Sequence, residues 1–255
     1  MKSISIVIPN FNDSRIKRTI DSIIKQDFDD YEIIVVEGCV NNTKTKSIYE
    51  IFHTKIDLLI HESDEGIFDA LNKGIKKTNG NLIFLIGADD VLSDNECFSS
   101  VWGIFQKYPD SDGISLGCRF VDSDDRIIRK WHINKVSSGK MKWGIMPPHF
   151  SLFLKKQLYH EIGLFDFEKS YVASDTEWLL RLASKREVKI PVLDNHYVDM
   201  EYGGASTGSF IYVLNAIIVI GKAAKKHKIK QWPLTPIIKL GSKLLQLKVK
   251  TKIKS

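Results

Sequence analysis

Acidic and amide side chains recur through the first ninety residues, each time directly after a short apolar, β-branched run. Asn10, Asn12 and Asp13 follow Ile4-Ser5-Ile6-Val7-Ile8-Pro9, and Glu37 closes Tyr31-Glu32-Ile33-Ile34-Val35-Val36. Asp64 and Glu65 come after the run at 57–62, and Asp89-Asp90 after Ile83-Phe84-Leu85-Ile86-Gly87-Ala88. Two adjacent carboxylates at the exit of an apolar strand are hard oxygen ligands, suited to Mg²⁺ or Mn²⁺ held against a diphosphate. The same pair also reads as an Asp-rich turn that satisfies local backbone donors. An acidic rim repels a bare phosphate, so a nucleotide bound there needs a divalent cation between the charges. No GxGxxG follows the first apolar run and no GxxxxGK[ST] occurs anywhere, which excludes Rossmann dehydrogenases and P-loop NTPases. What remains is diphosphate chemistry carried by a metal and by isolated groups such as Lys73, and this points to sugar nucleotides.

The elements that must position these groups follow from periodicity. Strands are expected at 4–9, 31–37, 57–62 and 81–86, each nearly continuously apolar, as in a sheet covered on both faces. Ile16, Ile20, Ile23 and Ile24, and then Ile67, Ala70, Leu71 and Ile75, have helical spacing. Strands alternating with helices make a parallel sheet, whose ligands bind outside the carboxyl ends of the strands, where the acids stand. Beyond residue 110 the runs 112–121 and 126–133 flank the turn Asp122-Ser123-Asp124-Asp125 and predict an antiparallel hairpin. A Gly/Pro-punctuated stretch at 134–148 precedes a strand at 149–154, and helices are expected at 155–162, 175–185, 209–227 and 235–248. The fold class is therefore α/β, a mixed sheet flanked by helices with a basic C-terminal helical extension. Residues 1–206 form the main unit, with a nucleotide-binding half (1–110) and a mixed half (111–206), and 207–255 form the extension.

The chain has 255 residues with 43% hydrophobic content, enough for a large core, so disorder is excluded. Its 37 Lys and Arg against 31 Asp and Glu give a net charge of +6, but residues 222–255 hold eleven Lys and no acid. The preceding residues thus carry 26 basic against 31 acidic groups, a net charge of −5. A nucleic-acid binder would carry its basic footprint on the globular body, and would use Arg, which the tail lacks; nucleic acid is not an expected partner. Lysines interleaved with Trp232, Leu234, Ile237, Ile238, Leu240, Leu244, Leu245 and Leu247 have the composition of a helix lying on an anionic bilayer, each Lys contributing on the order of 1 kcal/mol. An amphipathic helix packed on the domain has the same composition. Cys39, Cys97 and Cys118 are too widely spaced for a CxxC site, and a reducing cytosol suits them. The apolar start is too short for a signal peptide, and the stretch 210–221 is too short to span a bilayer, which takes about 20 residues.

Four segments in this order resemble the family 2 glycosyltransferases of bacterial surface-polysaccharide assembly, which have the A-type glycosyltransferase (GT-A) fold. They are Ile4–Asn12, Glu32–Gly38, Asp64–Gly74 with its Gly-x-x-x-Ala-x-Asn-x-Gly pattern, and Gly87-Ala88-Asp89-Asp90, which stands where the family has a metal-binding Asp-x-Asp. The resemblance implies that Glu37 contacts the nucleobase, that Pro9, Asn10, Asp64, Asn72 and Lys73 line the nucleotide pocket, and that Asp89 coordinates the metal with Asp90 in support. Ala173-Ser174-Asp175-Thr176-Glu177-Trp178 is similar to the segment that carries the general base, which makes Asp175 the candidate and Glu177 its runner-up. It also implies a nucleotide-diphosphate sugar donor, a lipid-linked oligosaccharide acceptor and a cytoplasmic location at the inner face of the cytoplasmic membrane. The chain departs from the pattern at Gly87, at Glu37 in place of Asp, and at Cys39-Val40-Asn41-Asn42 in place of Gly-Ser-Thr-Asp. The Gln-x-x-Arg-Trp motif of processive synthases is absent, so a single sugar is expected to be added.

Several of these residues have plainer readings. Asp175 is also a sound helix N-cap, and Lys73, four residues after Asp69, a helix-surface ion pair. His149, in Pro147-Pro148-His149-Phe150, resembles a family histidine beside the acceptor site. His196 and the turn Gly203-Gly204-Ala205-Ser206 would approach the diphosphate or simply pack. A sugar nucleotidyltransferase would need a basic, Gly-rich loop after the first strand, where Asn10-Phe11-Asn12-Asp13 stands instead. A non-catalytic glycan or membrane adaptor on a transferase scaffold is the third reading, favoured by Gly87.

Overall fold

The computed structural model describes residues 2–39, 41, 43–131, 134–167, 173–202, 210–245 and 251–252, with backbone alone at 210–212, 243–245 and 251–252. Val40, Asn42, the 203–206 turn and Leu247 lie outside the described residues. The first half alternates β1 (Ile4–Asn10), α1 (Ile16–Ile24), β2 (Tyr31–Glu37), α2 (Lys46–Ile51), β3 (Leu58–His61), α3 (Ile67–Ile75) and β4 (Leu82–Leu85). The second comprises β5 (Val91–Leu92), α4 (Cys97–Lys107), β6 (Gly113–Val121), β7 (Arg126–Trp131), α5 (Ser138–Lys142), a 3-10 turn (His149–Ser151), β8 (Leu152–Lys155), α6 (Lys156–Ile162), α7 (Ser174–Lys185), β9 (Val192–Glu201), α8 (Phe210–Lys226), α9 (Thr235–Leu245) and β10 (Thr251–Lys252).

The strands form one mixed sheet in the order β10-β7-β6-β8-β4-β1-β2-β3, with β9 alongside β6 and β5 on β9. β1 to β4 are parallel, β8 is antiparallel to both β4 and β6, and β9 is parallel to β6. The carboxyl ends of β1, β2, β3, β4, β6 and β9 therefore share one edge. All seven residues of β1 are buried, as both-face coverage requires. Ile4, Ile6 and Ile8 pack on one face with Ile16, Ile20 and Ile23 of α1 and with Phe98 and Val101 of α4. Val7 points to the other face and joins Val36, α3, α6 and α7, the period-two alternation of a strand. Phe84 and Phe153, paired across β4 and β8, stack with centroids 4.1 Å apart.

Three features depart from the expectations. The strand expected from 149 begins at Leu152, because the hydroxyl of Ser151 donates to the carbonyl of Pro148 and closes a 3-10 turn over His149–Ser151. β9 was not expected: Asp194, Asn195, Asp199 and Glu201 hide it, although Asp199 is neutralised by Arg119 of β6 in a two-pronged pair with both bonds at 2.5 Å. The basic end does not stand apart from the core, for Ile220, Ala223, Ala224 and Ile229 of α8 and the turn after it are buried with α7.

α3, which carries Asn72 and Lys73, lies so close to the sheet that a Cβ on Gly74 would stand 2.3 Å from Cγ1 of Val7 and 3.2 Å from Cγ2 of Val36. Gly74→Ala should therefore push α3 off the sheet and destabilise the fold by about 1–3 kcal/mol. A lowered urea midpoint at unchanged slope checks this, and an unchanged midpoint would show that the helix gives way freely.

Candidate active site

Glu37 is the last residue of β2, opposite Asn10 of β1 in the parallel register. Its side chain is fully buried. One carboxylate oxygen accepts from Nδ2 of Asn10 (2.9 Å), the hydroxyl of Thr45 (2.9 Å) and the hydroxyl of Tyr49 (2.8 Å), the other from the backbone N–H of Asn12 (2.9 Å) and Cys39 (3.0 Å). The expectation that Glu37 faces a nucleobase is corrected: with five donors around it and no exposed surface, it holds the loops after β1 and β2 together. Burial, with Glu37 adding to it, pushes the Tyr49 phenol well above its ordinary range, so it stays a donor. Pro9 is buried in β1 next to this network, and Asn10 is buried within it.

Above it stand two groups open to a ligand. Phe11, at the tip of the loop fastened through Asn10 and Asn12, is 69% exposed. An exposed ring on a loop tied down at both neighbours can serve as a stacking platform for a planar ligand, and sequence reading missed it because a single Phe in a loop carries no spacing signal. Asp64 lies over the backbone at Gly38, where a Cβ would meet its carboxylate oxygen at 1.7 Å, so only glycine admits the acid there. The carboxylate accepts from the N–H of Gly66 (2.8 Å), and partial burial raises its pKa.

Asn72 and Lys73 are turned to other work. The Asn72 amide donates to the carbonyl of Phe165 (2.9 Å) and accepts from its N–H (3.0 Å), which ties α3 to the segment ahead of α7. Lys73 reaches the carbonyl of Ser63 (2.5 Å), Glu62 (3.1 Å) and Asp69 (3.1 Å), so the helix-surface pairing describes it and it braces the loop that carries Asp64.

Asp89 and Asp90 follow β4 at the same edge. Asp89 is partly exposed, with a guanidinium nitrogen of Arg15 at 3.5 Å. Asp90 is buried and accepts from the N–H of Gly87 at 3.1 Å. A Cβ at Gly87 would stand 2.8 Å from that carboxylate, so Gly87 is what lets Asp90 fold back on the turn. Burial raises both acids, and for Asp90 burial and the neighbouring Asp89 carry the pKa to about 8. Arg15, which sequence reading also missed, pairs with Asp13 (2.5 Å) and Glu201 (2.8 Å) as well as Asp89. Among the described residues, Arg15 alone pairs with all three of these carboxylates, which leaves a local excess of negative charge. The described residues hold no group of three or more His, Cys, Asp or Glu able to hold a metal unaided. One or two carboxylates plus diphosphate oxygens is, however, the donor set Mg²⁺ takes in nucleotide sites, and the pair fits that requirement.

Asp175 lies in the first turn of α7 after Ala173, which has φ +59°, and is half-exposed. Glu177, the runner-up base, is buried: it takes Arg181 at 3.1 Å and Nε2 of His227 at 2.6 Å. Burial would raise this carboxyl, but the His227 and Arg181 contacts hold it below its ordinary value, and it serves as a tie to α8. His149 packs edge-on to Phe165 and Trp178, with Nε2 3.0 Å from the Tyr159 hydroxyl and no partner for the buried Nδ1. His196 is buried between Asp94 (2.8 Å) and Asn195 (3.1 Å), the packed role rather than a ligand.

Residues 5–184 match "Glycosyl transferase family 2", and the chain belongs to that family. A Mycobacterium tuberculosis "PGL/p-HBAD biosynthesis glycosyltransferase" is 31% identical over 212 residues, 79% of this chain and 78% of the relative. The Escherichia coli "UDP-Glc:alpha-D-GlcNAc-diphosphoundecaprenol beta-1,3-glucosyltransferase WfgD" is 27% identical over 94 residues, 36% of this chain and 37% of that enzyme. Residues 1–349 of Staphylococcus aureus TarS, solved with UDP-GlcNAc, superpose with a TM-score of 0.64 at 14% identity, covering 96% of this chain and 93% of that one. The fold is thus the A-type nucleotide-sugar transferase fold and the chain is a glycosyltransferase.

Burial drives the His149 pKa down to about 4. A base depressed in the folded state contributes stability that is whole above its unfolded value near 6.5 and is lost as pH falls through 4. His149→Gln should remove that slope, so the wild type should lose on the order of 3 kcal/mol relative to the variant between pH 7 and pH 4. Parallel urea curves for the two proteins would overturn the assignment of His149 as a buried neutral imidazole.

Proposed function

We propose that the chain is an inverting, metal-dependent transferase that moves one sugar from a nucleoside-diphosphate donor to a hydroxyl of a lipid-linked glycan in surface-polysaccharide assembly. The observation that carries it is the Asp89-Asp90 pair, two acids raised by burial at the carboxyl end of β4, with Arg15 beside Asp89 shared with Asp13 and Glu201. Mg²⁺ or Mn²⁺ held there by Asp89, with Asp90 in support, would supply the charge that stabilises the departing diphosphate. Phe11, on a loop fastened by Glu37, offers a face to the base, and Asp64, on a loop braced by Lys73, an acceptor for the nucleotide's hydroxyl donors. Asp175, in an open helix turn, takes the proton as the acceptor oxygen attacks the anomeric carbon from the side opposite the leaving group, which is how inversion arises. The diphosphoundecaprenol named for the Escherichia coli enzyme supports a lipid-linked acceptor, and the Lys-rich end supports work at the inner face of the cytoplasmic membrane.

Calorimetric titration with UDP, GDP, dTDP and CDP, in Mn²⁺ and then in EDTA, tests the donor half. One diphosphate should bind, and only with metal; no binding to any would favour a non-catalytic adaptor. Asp175→Asn should keep that affinity and lose about 10²–10⁴-fold in transfer, the usual range for a general base, whereas Asp89→Ala should weaken metal-dependent binding. Wild-type behaviour in both would overturn the site. Phe11→Ala should cost about 1–3 kcal/mol in nucleotide affinity, the worth of a base–aromatic stack, and unchanged affinity would place the base elsewhere.

A further inference from the structure

The helices at the basic end bury one side and leave the other uncovered. On α8, Ile220, Ala223 and Ala224 face the core, while Leu214 and Ile218, one turn apart, face outward. Trp232 and Leu234 in the following turn and Ile237 on α9 are also uncovered, and all five lie between 42 and 61% exposed. Two contacts bring these residues together. The Lys225 ammonium, at the end of the outer stripe of α8, sits 5.6 Å from the Trp232 ring, and Gly221 lies against Pro236, next to Ile237. Trp143 and Ile145 extend the apolar surface, because Gly144 between them packs on the backbone of Thr235, beside Leu234.

The charge around this surface identifies its partner. Lys222, Lys225, Lys228 and Lys230 are exposed around it, and no acid occurs after Glu201, whereas eleven Lys do. Insertable Trp and Ile side chains ringed by flexible lysines match a boundary that is apolar beneath and anionic at its face, as lipid headgroups make it. No described helix is long and apolar enough to cross a membrane, so the contact is one of lying on the surface. We propose that the α8–α9 hairpin docks on an anionic lipid bilayer, with Ile218, Trp232 and Ile237 among the headgroups. The docked hairpin carries the candidate base with it. His227 holds Glu177 at 2.6 Å and Lys226 reaches Asp166 at 3.4 Å, and Glu177 is two residues from Asp175 on α7. Docking thus sets the start of α7 at a fixed height over the membrane; this positioning role rests on the lipid-linked acceptor proposed above, but the docking itself does not.

The test is sedimentation of the full chain with phosphatidylcholine vesicles, with and without phosphatidylglycerol. Binding to the anionic vesicles should be at least about tenfold tighter, the effect of one or two engaged lysines. Quenching of tryptophan fluorescence by brominated lipid should accompany it and be reduced in Trp232→Phe, Trp143 on the same surface supplying the remainder. The combined variant Ile218→Ser, Trp232→Ser, Ile237→Ser changes only exposed positions; it should keep its circular dichroism and nucleotide affinity and lose vesicle binding. Vesicle binding unaltered in that variant, equal binding to neutral vesicles, or a dimer that the variant dissociates would each overturn the proposal, the last by making the face a contact between copies of this chain. A chain that binds nucleotide but no vesicle fails the docking alone, and one that binds vesicles but no nucleotide fails the catalytic reading alone.

Discussion

The candidate donor site depends on one buried carboxylate. Removing an ionised acid from water is costly unless the protein replaces its hydration, and Glu37 is surrounded by five donors from both sides of the β1–β2 edge. That replacement has a structural consequence. Two of the donors are backbone N–H groups, of Asn12 and Cys39, so the loops after both strands follow the position of the carboxylate. Phe11 lies inside the first of those loops, and Gly38, under Asp64, opens the second. A residue that resembles a base-contacting acid thereby acts one layer lower, as the anchor of the surface that would meet the base.

The edge itself runs on the opposite principle. Glu37 is oversupplied with donors, whereas Asp89 and Asp90 are undersupplied, and burial raises both. An acid whose pKa is raised in the fold weakens it between its ordinary and its raised value, so Asp90 costs stability progressively as pH rises from about 4 to about 8 unless a cation arrives. Gly87 belongs to this arrangement: a side chain there would collide with the folded-back Asp90 carboxylate. The missing first acid of the Asp-x-Asp pattern is thus linked to how the remaining pair is packed.

The parallel half of the fold was legible because its strands are buried on both faces and each is ended by a polar residue at a short, regular interval. β1, β2, β3 and β4 fall within a residue of where the β-branched runs place them. β9 was illegible for an equally physical reason: its Asp199 is neutralised by Arg119, which lies eighty positions earlier in the sequence. The site divides in the same way. Asp64, Asp89 and Asp175, singled out by motif position, stand partly exposed. Whether Glu37, Asn72 and Lys73 faced a ligand or a loop depended on partners such as Tyr49, Phe165 and Ser63, which no spacing rule connects to them.

Phe165 shows how the two halves are coupled. Its backbone is held by Asn72 of α3, and its ring packs on His149, which in turn lies against Trp178 of α7. One turn before Trp178 stands Asp175, and between them Glu177 reaches across to His227 beyond α8. The helix that lies on the donor-binding strands, the candidate base and the basic hairpin are therefore joined through rings at van der Waals range and a few short polar contacts. A packed aromatic cluster does not deform continuously, so movement of the hairpin would shift α7 as a unit. Such rigidity suits the proposed transfer from a dissolved donor to a membrane-anchored acceptor, because the distance between the two candidate sites is then set by the fold rather than by either substrate.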